Sequence, residues 1–311
     1  MMKKLLFWTL CVAVISFTGC DPEDDRSNGI SLPEVSDAEF AKNFGAEVQR
    51  DFIGQVVDVN NEPVVAATVK IGTASVQTDA NGVFIVNGAS VYEKFAHVTA
   101  TKAGYISGSR SLVPTTGKNN IKIMLLAATP VQTIASGATA AVDLPNGTKV
   151  VFDGAFTDES GNAYSGNVNV SVFHLESSNE NLGSLMPGML YAKNESGQPV
   201  GLETFGMLHV ELRGSGGQKL QIATGHLAQM TMPIDNTQLA TAPATIPLWH
   251  FDEANGYWKQ EGLAIRQGGK YVGNVSHFSW WNCDAPFPTY KLTVIATGIN
   301  GLPLRNIGVV L

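Results

Sequence analysis

The 311-residue chain carries only 15% charged side chains beside 32 glycines and 14 prolines, so it is long enough for two domains but too rich in turn formers for long helices. Its 20 Lys and Arg are outnumbered by 27 Asp and Glu, giving a net charge of −7. Without clustered cations to meet a phosphate backbone, nucleic acid is excluded as the expected partner. Abundant Val and Thr between Gly, Pro and Asn predict an all-β fold of many short strands.

At the N-terminus, Lys3 and Lys4 precede an apolar run from Leu5 to Phe17 that closes on Thr18-Gly19-Cys20. About a dozen apolar residues are too few to span a bilayer, so residues 1–19 are predicted to be a secretory signal peptide. The ending resembles a bacterial lipoprotein signal, in which a small residue precedes a cysteine that is acylated and becomes the new N-terminus; Phe17 stands where Leu is more usual. The resemblance implies a membrane partner, reached through lipid on Cys20. The plainer alternative is a signal peptide cut elsewhere, with Cys20 an ordinary thiol. The acidic run Asp21-Pro22-Glu23-Asp24-Asp25 follows; it cannot bind anionic headgroups and reads as a solvated spacer. It also resembles the export signal after the lipid cysteine of surface lipoproteins of Bacteroidetes-type bacteria, which implies the outer face of the outer membrane. With Cys11 removed and Cys20 acylated, Cys283 has no disulfide partner and is expected to be buried.

Residues 20–50 read as an acidic tether that contributes little core, with a short helix around Asp37 to Phe44. From Asp51 the pattern changes to period-two alternation broken by turns such as Asn60-Asn61-Glu62-Pro63 and Asp79-Ala80-Asn81-Gly82, which predicts a sandwich of about seven strands over 51–127. The segments Gly54-Gln55-Val56-Val57-Asp58, Glu62 to Val69, Thr78 to Phe84 and Lys102-Ala103-Gly104-Tyr105 resemble the carboxypeptidase regulatory-like domain. That resemblance implies a prealbumin-like, non-catalytic sandwich. Asp79 and Asn81 are expected to serve a turn; a calcium site there is the sharper alternative, and it would need more carboxylates at close spacing.

After Thr129-Pro130, strand-like runs at Lys149 to Phe152, Asn167 to His174, Met207 to Leu212, Leu220 to Ala223 and Leu227 to Met232 predict a second, larger all-β domain over 131–286. Its closing stretch, Ile246 to Asp284, holds Trp249, Trp258, Trp280 and Trp281. Leu248-Trp249, Phe251-Asp252, Gly256-Tyr257-Trp258, Tyr271-Val272-Gly273 and Ser276 to Asn282 resemble the module that follows the regulatory-like domain in cartilage intermediate layer protein, and more distantly the β-domains of netrin receptors, ankyrins and death-domain scaffolds. In 287–311, aligning Pro303 with Pro63 places Val309 on Val69 and Leu311 on Ile71, so this stretch looks like the opening of a second regulatory-like repeat.

Two features could carry function. The first is His277-Phe278-Ser279, which resembles the autoproteolysis site of some death-domain scaffolds and nucleoporins. There Ser279 would attack the Phe278 carbonyl, His277 would act as base, and strain would assist. The plainer reading, favoured here, makes the tripeptide a strand end with His277 and Ser279 on one face, and Phe278 and Trp280 on the other. The second feature is aromatic: Trp249, Trp258 and Trp281 could form an exposed platform for sugar rings, although core and inter-domain packing is the commoner fate of such residues. Adjacent Trp280 and Trp281 must face opposite ways in a strand. His97, His174, His209, His226, His250 and His277 are scattered without zinc-ligand spacing, so no metal and no cofactor is expected. The chain therefore reads as a non-enzymatic surface lipoprotein with a structural or binding role toward a protein or glycan, with self-cleavage and glycan binding as alternatives.

Overall fold

The computed structural model describes residues 35–289 and 294–304. The signal segment, Cys20 and the acidic run lie outside the described residues, as do 290–293 and 305–311. Strands dominate from Glu47 onward, and the fold is all-β.

The first module has seven strands: β1 (Glu47–Asp58), β2 (Thr68–Ile71), β3 (Ala74–Gln77), β4 (Val83–Tyr92), β5 (Ala96–Thr101), β6 (Gly108–Leu112) and β7 (Lys118–Leu125). A three-stranded sheet, β4-β1-β7, faces a four-stranded sheet, β3-β2-β5-β6. Inward residues alternate along each strand, and Phe52, Val56, Val69, Ile71, Phe84, Val98, Ile123 and others form one buried core between the sheets. The turns are built by carboxylates: Asp79 Oδ1 accepts from the amides of Asn81 and Val83 at 2.9 and 2.8 Å. Asp58 Oδ1 does the same for Asn60 and Glu62 at 2.8 and 2.9 Å. Asp79 and Asn81 thus serve a turn, closed by the two amides that Asp79 Oδ1 accepts.

One hairpin form recurs along the chain. The bridge Val57↔Pro63 is matched by Thr157↔Ala163 and by Thr297↔Pro303. Each carries the same backbone bonds, as in Asp58 N to Glu62 O, Asp158 N to Asn162 O and Gly298 N to Leu302 O. The fourth position needs positive φ, and Asn61, Gly161 and Gly301 supply it. The C-terminal copy leaves Ile295, Ile299, Leu302 and Leu304 exposed, whereas Val56, Val57 and Val64 of the first are buried.

The second module comprises β8 (Gln132–Ala135), β9 (Ala140–Asp143), β10 (Lys149–Phe152), β11 (Phe156–Asp158), β12 (Asn167–Leu175), β13 (Tyr191–Lys193), β14 (Pro199–Gly214), β15 (Lys219–Ile222), β16 (Ala228–Pro233), β17 (Thr245–Asp252), β18 (Tyr257–Gln267), β19 (Lys270–Val275) and β20 (Trp280–Pro288). All thirteen are hydrogen-bonded into one sheet whose main path runs β11-β15-β14-β20-β17-β18-β19-β16-β10-β9. Its spine is β14, 16 residues long, which pairs with β13, β20, β12 and β15 in turn. Both faces of β14 are covered, so its central residues are buried without alternation. One face looks into a core that includes Phe152, Leu208, Ile246, Phe278 and Trp281.

The other face makes the contact with the first module. Val57, Ile106, Met124 and Leu126 pack with Trp249, Phe251, Trp258 and Trp280 in one buried cluster. Polar bonds rim this seam: Ser111 Oγ donates to the Gly256 carbonyl at 2.7 Å, and Arg110 donates to the Met186 carbonyl at 3.3 Å.

The tether reading is corrected from Asp37 onward. The expected short helix is present, an α-turn at Asp37–Phe40 capped by Ser36 and continued as a 3-10 turn at Ala41–Phe44. Phe40 and Phe44 are nonetheless buried, because each finds an aromatic partner on a different module. Phe44 stacks on Phe95 of the first module at 4.2 Å, and Phe40 lies 4.7 Å from Tyr257 of the second. Asp37 accepts from Lys193 and Lys259 at 2.9 and 2.7 Å and from the Tyr257 hydroxyl at 3.0 Å. Partial burial opposes the charge, but these three donors outweigh it and hold the Asp37 carboxyl well below the usual range.

Phe40→Ala is expected to lower stability by about 3–5 kcal/mol through the cavity it leaves. Asp37→Ala is expected to cost about 1–2 kcal/mol, because Lys193 is nearly buried while the carboxylate itself is partly solvated. Urea unfolding followed by tryptophan fluorescence checks both, with one shared transition expected for the two modules.

Candidate functional site

The tripeptide His277-Phe278-Ser279 lies in a turn between β19 and β20 and is not a strand end. Phe278 packs with Trp281 and Phe152, with the Phe152 ring 5.6 Å away, whereas Trp280 enters the seam between the modules. The expectation that Phe278 and Trp280 share a side fails because the turn breaks the alternation before β20 begins. Trp280 and Trp281 do face opposite ways.

The turn is pinned from both flanks. The Gln221 side chain donates to the Phe278 carbonyl at 2.8 Å and accepts from its amide at 2.7 Å. Trp281 Nε1 donates to the His277 carbonyl at 2.9 Å. Ser279 Oγ donates to the Trp280 carbonyl at 3.0 Å, and the His277 Nε2 that would serve as its base lies against Glu261 instead. Among the described residues, positive φ outside glycine occurs only at Asn61 and Ala66, so no strain of that kind sits at Phe278-Ser279. Ser279 also lines a small cavity of about 60 Å³ with His209 and Glu211. His209 is buried there without a hydrogen bond, its Nε2 3.9 Å from Glu211 Oε2 and its ring 5.0 Å from that of Trp280.

The platform of Trp249, Trp258 and Trp281 is overturned. All three are fully buried, because strands or the first module cover both faces of the sheet that carries them. Trp249 Nε1 donates to the Asp284 carbonyl at 3.0 Å, deep inside.

The structure instead brings together His250, Glu261 and His277, which no spacing rule connects. His250 stands on β17, Glu261 on the paired β18, and His277 on the turn before β20, the other neighbour of β17. Glu261 Oε2 lies 3.3 Å from His277 Nε2 and 3.6 Å from His250 Nε2. The two imidazoles meet edge to face at 4.8 Å, and the Trp281 ring lies 5.1 and 5.6 Å from them. A bulge on β18, where Pro247 pairs with Leu263 but Trp249 pairs with Gln260, places Glu261 in the irregular stretch; Gly262, with φ of 79°, supplies its left-handed residue. The hydrogen bond from His277 holds the Glu261 carboxyl down at about 2. Burial, with the His277 charge nearby, pushes the His250 imidazole down to about 4. His250 and Glu261 open onto a groove of about 300 Å³ bordered by Lys193, Asn194, Lys259 and Gln260.

On β20, beside Thr204 of β14, Asp284 is fully buried. Asn282 Nδ2 donates to its Oδ2 while Oδ1 has no partner, and burial raises the carboxyl well above the usual range.

No protein-family model and no curated protein matches the chain. Among solved structures, a Bacteroides fragilis protein of unknown function is 8% identical over 78% of this chain and 99% of its own, with a TM-score of 0.21. A streptococcal ancillary pilin is 10% identical over 73% of this chain and 58% of its own, at 0.22. A proposed carbohydrate-binding protein from Bacteroides uniformis is 10% identical over 77% and 99%, also at 0.22. At such scores the likeness carries no statement about fold or activity.

Asp284→Asn is expected to stabilise the protein at pH 7 by about 1–3 kcal/mol. The folded carboxyl holds its proton above the unfolded value of about 4, so stability falls as pH rises from there. Thermal unfolding between pH 4 and 8 should show that fall in the parent and its loss in the variant.

Proposed function

We propose that this chain is a non-enzymatic, surface-anchored lipoprotein whose two β-modules act as a structural or binding unit. The observation that carries this is the seam: Trp249, Trp258 and Trp280 are spent joining the modules, which suits a stiff spacer that presents its surface to a protein or glycan partner. Residues 52–126 are read as a regulatory-like sandwich and 131–286 as its cartilage-type companion, on the motifs given above. Lipid on Cys20 and the acidic run after it would hold the protein on the outer face of the outer membrane. Among the described residues no helix is long and apolar enough to cross a membrane.

Self-cleavage at Phe278-Ser279 is the second reading. It is favoured by one observation, the Gln221 donor that would polarise the Phe278 carbonyl. The engagement of the Ser279 hydroxyl with the Trp280 carbonyl and of His277 with Glu261 favours the intact chain.

Two measurements test these readings. In cells fed an alkyne fatty acid, the protein should take up label and the Cys20→Ala variant should not; equal labelling would sink the anchor. Intact-mass analysis of the purified mature chain should give one full-length species, and a break after Phe278 that disappears in Ser279→Ala would establish cleavage instead.

A further inference from the structure

We propose that His250, Glu261 and His277 form a surface site for one transition-metal ion of zinc's kind, with Nε2 of both imidazoles and Oε2 of Glu261 as its three protein ligands. In a tetrahedral zinc site, with metal–ligand bonds of about 2.0–2.2 Å, neighbouring ligand atoms stand about 3.3 Å apart. Glu261 Oε2 already lies 3.3 and 3.6 Å from the two imidazole nitrogens. All three atoms fall within 4.8 Å of one another, so closing the set requires the imidazoles to approach by at most about 1.5 Å. Without an ion each neutral imidazole can donate its own Nε2–H to that oxygen; a divalent ion would take the place of both protons and hold the three atoms together.

The surroundings hold each ligand in place, as outer partners do in built sites. Ser276 Oγ donates to Glu261 Oε1 at 2.9 Å, which leaves Oε2 for the ion. The Trp281 indole bonds the His277 carbonyl, and Gln221 grips the residue after it. His250 is fixed by strands on both sides of β17. Two imidazoles with one carboxylate suit zinc, cobalt, nickel or copper, whereas calcium and magnesium call for more oxygens. His250 and Glu261 border the groove, so the fourth position would face it and take water or an oxygen donor from a partner. Under this assignment the tripeptide His277-Phe278-Ser279 acquires a use that needs no bond cleavage: Phe278 anchors the turn in the core and His277 reaches the ion.

The test uses the untagged mature chain, titrated with zinc by calorimetry and with cobalt by visible absorption. One equivalent of zinc should bind saturably, and cobalt should show the intense visible bands of a tetrahedral site. His250→Gln and His277→Gln should each weaken zinc more than tenfold, since even outer partners are worth about 10–100-fold. His226→Gln, at an exposed histidine paired with Asp153, should change nothing. Absence of saturable zinc binding, weak octahedral cobalt bands, or unchanged affinity in both His250→Gln and His277→Gln would overturn the site and leave a plain carboxylate–imidazole contact. The cobalt spectrum is read on the parent chain, so the proposal stays testable even if a variant fails to fold.

Discussion

Water is kept from both faces of the strands that join the two modules, and the rest of the architecture depends on that exclusion. Trp249 and Trp258 have no solvent contact, and the cluster that buries them is filled by residues of both modules. Indoles of this size dominate the energetics of any interface they enter. The seam therefore makes the two modules one packed body, and the Asp37–Phe44 segment closes it from outside with one aromatic on each side. The same covering explains why β14 and β20 are buried on both faces: one faces the inner core, the other the seam.

Much of the fold is legible in the chain. Turn chemistry marks the hairpins, and alternation marks the strands of the first module, where one face is wet. The strand at Lys149 to Phe152 and the helix near Asp37 fall where composition puts them. The fate of the tryptophans is harder to read, because alternation assigns a residue to a face without saying what covers it. The segment before β1 misleads for a related reason. Its polar residues resemble a spacer, and only the partners Phe95, Tyr257, Lys193 and Lys259, distant in sequence, make Phe40 and Asp37 part of the core and its rim.

The cluster at His250 is half legible. The turn Asp252 to Gly256 folds β17 back on β18, so a residue two before the turn must lie near one a few after it, and His250 beside Glu261 follows. The bulge at Gly262 and the pairing of β20 with β17 are long-range outcomes of packing, and they bring His277 to the same place. Motif spacing fails here because each ligand comes from a different strand or turn. The His-Phe-Ser tripeptide was the visible part of the arrangement; its partners were not.

The segment that enters the fold at Asp37 also sets a mechanical path. Tension arriving from the residues before Val35 meets first a carboxylate held by two ammonium groups and a phenol. The ring of Phe40 against Tyr257 and the stack of Phe44 on Phe95 come next, and only then the start of β1. Because Asp37 and Phe40 hold to the second module and Phe44 to the first, both modules grip the segment before β1 is reached.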